Sequence, residues 1–203
     1  IVDDSDDLRN YMAQIFSSAG YRILTAENGE TGLRRVTSAR TDLVVTDLMM
    51  PRLSGIDMIQ EIRKVRETKH IPIVLLTARA DEDTRREVRE AGADGYLAKP
   101  FNESELLATA RNMIALKARE KSLSQDMDQA RKIQNSLMPS EFPMRERVEL
   151  AAVYEPTEKI GGDFYDFVDF PDGRLGMFIA DVSGHGLPAA MIASIGKILL
   201  SVF

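Results

Sequence analysis

Between residues 1 and 117, short apolar runs rich in β-branched residues alternate five times with amphipathic stretches, and no other feature constrains the fold as strongly. Strand-like runs fall at 1–2, 21–25, 42–46, 71–76 and 95–97, and helix-like stretches at 6–19, 29–39, 55–66, 83–91 and from 103 onward. Strand followed by helix, repeated, brings each strand back parallel to its predecessor. The pattern therefore predicts an α/β domain with a five-stranded, doubly wound parallel sheet. The runs at 42–46 and 71–76 are almost wholly apolar, as central strands covered on both faces must be.

The fifth helix is expected to overrun its domain. Residues 103–137 contain neither Gly nor Pro, and Leu106, Met113, Leu116, Leu123, Met127, Ala130 and Leu137 follow a 3-4 spacing, interrupted by the polar Thr109, Glu120 and Gln134. The spacing fits a short coiled coil between two subunits, or a stripe packed on the segment that follows. Pro139 and Pro143 end the helix near Met138. Beyond it the pattern changes to strands at 148–154, 164–170 and 174–182, with a tight turn at Phe170-Pro-Asp-Gly-Arg174, and then a buried helix at 187–203. The expected division is a first domain at 1–117, a linker helix at 118–139 and a different, α+β segment at 140–203. The chain opens on what reads as the end of a buried strand and stops within an apolar helical pattern, so a piece of a longer protein is expected.

Composition narrows the functions. With 26 Lys plus Arg against 32 Asp plus Glu, and no basic run, nucleic acid is not an expected partner. The absence of cysteine rules out disulfides and thiolate chemistry and fits a reducing compartment. No apolar run approaches the ~18 residues that span a bilayer, and no signal segment opens the chain. A cytoplasmic protein without a membrane partner is expected.

In a parallel sheet the carboxyl ends of the strands meet at one edge, where loops carry the functional groups. Asp3 and Asp4 end the first strand, Asp47 the third and Thr77 the fourth, and Lys99 follows the fifth, so all five should converge. Clustered carboxylates call for a cation, and an all-oxygen site suits Mg²⁺. Asp47, central in the sheet, is the candidate nucleophile for an incoming phosphoryl group, with Lys99 and Thr77 placed to meet phosphoryl oxygens. The segments Ile1-Val-Asp-Asp4, Val44-Val-Thr-Asp-Leu-Met-Met-Pro51, Gly55-Ile-Asp57, Leu76-Thr-Ala78 and Lys99-Pro-Phe101 together resemble the receiver domain of bacterial two-component response regulators, which has a flavodoxin-like fold. The gaps of 30 residues from Asp47 to Thr77 and 22 from Thr77 to Lys99 match that pattern. The resemblance implies a phosphoprotein with Asp47 as phospho-acceptor and a sensor histidine kinase as partner. It also implies that Asp3, Asp4, Asp47 and the Met49 carbonyl are Mg²⁺ ligands, that Thr77 and Tyr96 form a switch pair, and that Lys99-Pro100 is a cis bond.

A second constellation lies in Ile160-Gly-Gly-Asp-Phe-Tyr-Asp166 and Ile179-Ala-Asp-Val-Ser-Gly-His-Gly186, where aspartates sit beside glycines at strand edges. Two carboxylates from adjacent strands can bridge a pair of divalent cations and so activate water against a phosphate ester. These residues, with Gln129-Ala-Arg-Lys-Ile-Gln-Asn-Ser-Leu-Met-Pro139 before them, resemble the metal-dependent serine/threonine phosphatases of the PPM family, in the bacterial branch acting on phosphorylated anti-sigma-factor antagonists. The resemblance implies a hydrolase with Asp163, Asp181 and the Val182 carbonyl as ligands of a Mg²⁺ or Mn²⁺ pair, Asp166 one contact further out, and His185 structural. That family's metal centre also draws on acidic residues much later in its domain, and segment 140–203 is too short to hold them. Little or no turnover is expected from this stretch itself. The expected function is a response regulator whose receiver controls a phosphoserine-protein phosphatase. The alternative is a receiver-controlled adaptor whose phosphatase-like part binds a regulatory protein; a DNA-binding regulator conflicts with the acidic balance.

Overall fold

The computed structural model describes residues 1–78, 82–143, 149–156 and 158–200. The chain divides into two compact units, Ile1–Glu120 and Lys121–Phe203.

In the first unit, helices α1 (Asp6–Ser18), α2 (Gly29–Ser38), α3 (Gly55–Lys64) and α4 (Glu82–Glu90) and the beginning of α5 (Glu103–Leu137) surround a parallel sheet of β1 (Val44–Asp47), β2 (Ile73–Thr77) and β3 (Gly95–Ala98). Of the five expected strands, the first two are reduced to isolated parallel bridges, Val2 to Ala26 and Val2 to Thr46. Two residues are too few to extend a ladder, and only Val2 and Ala26 lock in, through Val2 N–H to Val45 O (2.8 Å), Asp47 N–H to Val2 O (2.8 Å) and Asp3 N–H to Ala26 O (3.1 Å). The lateral order is nonetheless that of a doubly wound sheet: the Ala26 segment, the Val2 segment, β1, β2, β3.

Strand periodicity divides the core between the two faces. Val44, Ile73 and Leu75 point into a cluster with Val36 of α2, Met58, Ile59 and Ile62 of α3 and Val88 of α4. Val45, Val74 and Leu76 point the other way, against Met12, Ile15 and Phe16 of α1 and Leu106 and Ala110 of α5. Both faces are thus covered, which is why these runs carry no polar alternation. Ser5, Asn28 and Ser54 cap α1, α2 and α3 with their side chains. Asn102 and Glu105 start α5 reciprocally, each side chain accepting the other's backbone N–H at 3.0 Å.

α5 covers the expected 103–137. Its stripe has two environments: Leu116 and Leu123 are exposed, whereas Gln134 is buried within the second unit. In that unit β4 (Asp163–Asp169) and β5 (Leu175–Asp181) form an antiparallel hairpin. Its turn is closed by Phe170 N–H to Arg174 O and Gly173 N–H to Phe170 O, both 2.9 Å, with Gly173 at φ +83°. Helix α6 (Gly186–Leu200) packs on β4 through Ala189, Ala190, Ala193 and Lys197.

Two expectations for this unit are corrected. Residues 149–154 form no strand, and Val148 lies outside the described residues, as do 201–203 at the end of the helix expected at 187–203. α6 is not buried all round: Met191, Ile192, Ile195, Ile198 and Leu199 are exposed, because one hairpin covers one side of a helix. Among the described residues no helix is long and apolar enough to cross a membrane.

Candidate functional site

The register of the parallel sheet builds the first site. Asp47 pairs with Leu76 and Thr77 with Ala98, while Lys99 N–H donates to Thr77 O at 2.7 Å, so three neighbouring strand ends present Asp47, Thr77 and Lys99 side by side. Asp3 joins them from the Val2 bridge. Its fully buried carboxylate accepts Ser5 N–H (2.9 Å) on one oxygen and Lys99 Nζ (3.2 Å) on the other, and its carbonyl accepts Arg9 Nη1 at 2.7 Å. Lys99 Nζ also donates to Asp47 Oδ1 at 2.8 Å. Asp4 stands exposed at the rim, and oxygens of Asp3, Asp4 and Asp47 lie within 4.8 Å of one another. Three carboxylates and one ammonium leave an excess of negative charge on hard oxygen donors, a set that fits a divalent cation such as Mg²⁺.

Electrostatics follow the geometry. Burial pushes the Asp47 carboxyl above its ordinary value, with Asp3 adding to the rise and Lys99 opposing it. Burial acting alone would lower Lys99, but hydrogen bonds and charge from Asp47 and then Asp3 outweigh it and hold the ammonium above its usual range. The loop after Asp47 must run tight against the strand. Gly55 N–H donates to Leu48 O at 3.0 Å, and a Cβ at Gly55 would stand 2.1 Å from the Asp47 carbonyl oxygen. Thr77 is 2% exposed at the pocket floor. Tyr96, on β3, is 38% exposed, its ring partly in solvent, and the Met49 side chain points outward. The Lys99–Pro100 peptide is cis, as expected.

The second pair also meets. Asp163 and Asp181 are direct cross-strand partners in the β4–β5 register. Partial burial first, then a hydrogen bond and charge from Asp181, raise the Asp163 carboxyl above its usual range. Val182 N–H donates to Gly162 O at 3.2 Å, and a Cβ at Gly162 would stand 2.7 Å from the Val182 carbonyl. Two exposed carboxylates facing each other across the hairpin are hard oxygen donors of the kind a divalent cation takes, and the Val182 carbonyl packs against Gly162, next to Asp163 in sequence.

Asp166 does not belong to this pair. Three residues along a strand reverses the face, and Asp166 forms a nearly buried ion pair with Lys197 of α6. His185, expected to be structural, is solvent-exposed, with Nδ1 3.2 Å from Glu158 Oε1. Sequence reasoning missed Lys197, whose signal was a lone cation in an apolar helix, and Gln134, which it treated as a polar interruption of a stripe.

A parallel sheet covered on both faces, with an aspartate, a threonine and a lysine at adjacent strand ends and two further acids beside them, is the fold and site layout of a receiver domain. Residues 1–111 match the profile of the response regulator receiver domain, and the chain belongs to that family. It is 36% identical over 114 residues to the phosphate regulon transcriptional regulatory protein PhoB of Pseudomonas aeruginosa, covering 56% of this chain and 50% of that protein. It is 35% identical over 130 residues to hybrid signal transduction histidine kinase D of Dictyostelium discoideum, covering 64% of this chain and 8% of that protein. Among solved structures it is similar to the receiver domain of sensor histidine kinase PA1611 from Pseudomonas aeruginosa PAO1, which has a magnesium ion coordinated in its active site cleft. The TM-score is 0.53 and the identity 31%, over 56% of this chain and 93% of that one. The chain thus spans half or less of the length of these curated relatives, and the matched family ends at residue 111.

Proposed function

We propose that this chain receives a phosphoryl group on Asp47 from a sensor histidine kinase and thereby controls a metal-dependent protein serine/threonine phosphatase output. The observation that carries the first half is the convergence of Asp3, Asp47 and Lys99 through shared hydrogen bonds. A Mg²⁺ held by Asp3, Asp4, Asp47 and the Met49 carbonyl would supply neutralising charge and Lewis acidity at the phosphoryl oxygens. The magnesium in the PA1611 receiver supports this assignment. An Asp47 carboxylate oxygen forms the new P–O bond as the P–N bond of the donor breaks and the imidazole leaves with that electron pair. Lys99 then turns from Asp47 to a phosphoryl oxygen, the Thr77 hydroxyl meets another, and Tyr96 moves inward behind it.

For the output, the support is the cross-strand pairing of Asp163 with Asp181, with the Val182 carbonyl packed against Gly162 next to them in sequence. Those groups would hold Mg²⁺ or Mn²⁺, which activates water for attack on a phosphoserine protein, such as an anti-sigma-factor antagonist. α5 is continuous from 103 to 137 and is the element through which the receiver acts, either by repositioning or by pairing with a second copy through exposed Leu116 and Leu123.

Acetyl phosphate with Mg²⁺ should phosphorylate the chain, and Asp47→Asn should abolish the product; labelling that survives the substitution would refute the first half. Little or no dephosphorylation of a phosphoserine protein is expected from the 203-residue chain with Mn²⁺; robust turnover, lost on Asp163→Asn, would overturn that expectation and exclude the adaptor. Scattering profiles with and without a phosphoryl mimic test the movement of α5, and identical profiles would count against it.

A further inference from the structure

Gln134 is a buried amide on a helix, and such a group persists only where its donors and acceptor are met. Its partners all lie in the segment leading to Asp163. Nε2 donates to Gly161 O at 2.6 Å, Oε1 accepts Gly161 N–H at 3.1 Å, and the Tyr154 hydroxyl donates to the same oxygen at 3.4 Å. The side chain thus pairs with both backbone groups of one residue, as a neighbouring strand would. Gly161 admits no side chain, because a Cβ there would stand 2.9 Å from both Pro156 Cβ and the Tyr154 hydroxyl. One residue on, Gly162 bonds to Val182, and the next residue is Asp163. Nearer the start of α5 the same segment is tied again: Lys159 Nζ reaches Ser124 Oγ at 2.7 Å and Asp128 Oδ1 at 2.8 Å. Between the two ties, Ile160 is buried.

We infer that Gln134 is a positioning residue: it fixes the Gly161–Gly162 peptides against α5, and so sets where the Asp163 carboxylate stands relative to Asp181 and the Val182 carbonyl. The inference rests on the reading of Asp163 and Asp181 as metal ligands. It adds a route by which α5 governs that pair: a shift of the helix at Gln134 either drags Gly161 along or leaves a buried amide unpaired, and both outcomes move Asp163. Groups that hold a ligand's support in place commonly change metal affinity by 10- to 100-fold when removed.

The test is residue-resolved NMR of the 203-residue chain under Mn²⁺ titration, following paramagnetic broadening of the backbone amides at 162–164 and 181–183. Gln134→Ala should weaken the apparent Mn²⁺ affinity there about tenfold or more. Gln134→Glu keeps the acceptor for Gly161 N–H but loses the donor, and should fall between. Broadening beside Asp3 and Asp47, and the resonances of α6, serve as internal controls, and the neighbouring exposed Ile133→Ala should behave as the unsubstituted chain. An unchanged midpoint in both Gln134 variants, with normal broadening in the unsubstituted chain, would overturn the positioning role alone. No broadening at 162–164 in the unsubstituted chain would overturn the metal assignment, and the positioning role with it.

Discussion

The two aspartate clusters use the same side chain in opposite settings. Asp3 and Asp47 sit at the ends of segments buried on both faces, with Lys99 bonded to each. Asp163 and Asp181 face each other across a two-stranded hairpin, exposed, and α6 covers the hairpin on one side. A sheet packed on both faces fixes carboxylates by its own rigidity, and here the counter-charge comes from Lys99, just beyond β3 and two strands from β1. A hairpin needs an outside brace to do the same. Here the brace is α5, through Gln134 and Lys159.

This contrast can be broken at several points. The largest effect is expected at the acceptor itself: Asp47→Asn should eliminate phosphoryl incorporation, read on a phosphate-affinity gel, while leaving Mn²⁺ broadening at 162–164 intact. Loss of both signals would mean that the clusters are not separate in function. Next, Lys197→Met should strand Asp166 under α6 and destabilise the second unit by about 3 kcal/mol, whereas the double variant with Asp166→Leu should recover most of the loss. Urea denaturation followed at both sites checks this, and additive losses would show that the pair is not coupled. Gly55→Ala forces a methyl against the Asp47 carbonyl and should cost about 1–3 kcal/mol, with slower phosphorylation. A variant as stable as the parent would show the loop to be pliable.

The smallest effect is one of pH. Because the folded Asp47 carboxyl titrates above its ordinary 3.8, the folded state binds more protons than the unfolded one in the interval between the two values. This group's contribution to stability is therefore most favourable below 3.8 and declines as pH rises through the folded value. Melting temperatures of the parent and Asp47→Asn should converge toward acid and separate toward neutrality, with the variant the more stable in the absence of Mg²⁺. The opposite order at neutral pH would mean that Lys99 outweighs burial.

The receiver was legible because its signals are redundant. Strand periodicity, strand-end acids and fixed gaps all select one sheet, and Asp3, Asp47, Thr77 and Lys99 fall where the pattern puts them. What it could not show was ladder length: residues 21–25 read as a strand, yet the bridge forms at Ala26 beside them, with Leu24 O accepting the Ile1 amino group at 2.8 Å. In the second unit, apolar content predicted burial of α6, but composition cannot say which faces have a neighbour. Asp166 was misjudged for a related reason. The resemblance put it one contact beyond the metal pair, while the cation that claims it lies some thirty residues later, on a helix whose packing the sequence does not encode locally.

One consequence follows from the way Lys99 is shared. A single ammonium neutralises two carboxylates, so charge arriving at either one is drawn from the other's account. If Asp47 gains a dianionic group, as proposed, the Asp3 carboxylate loses part of its share of Lys99 and keeps the Ser5 amide at the head of α1, whose Arg9 holds the Asp3 carbonyl. Under that proposal, a charge placed at the end of β1 is felt at the entrance of α1.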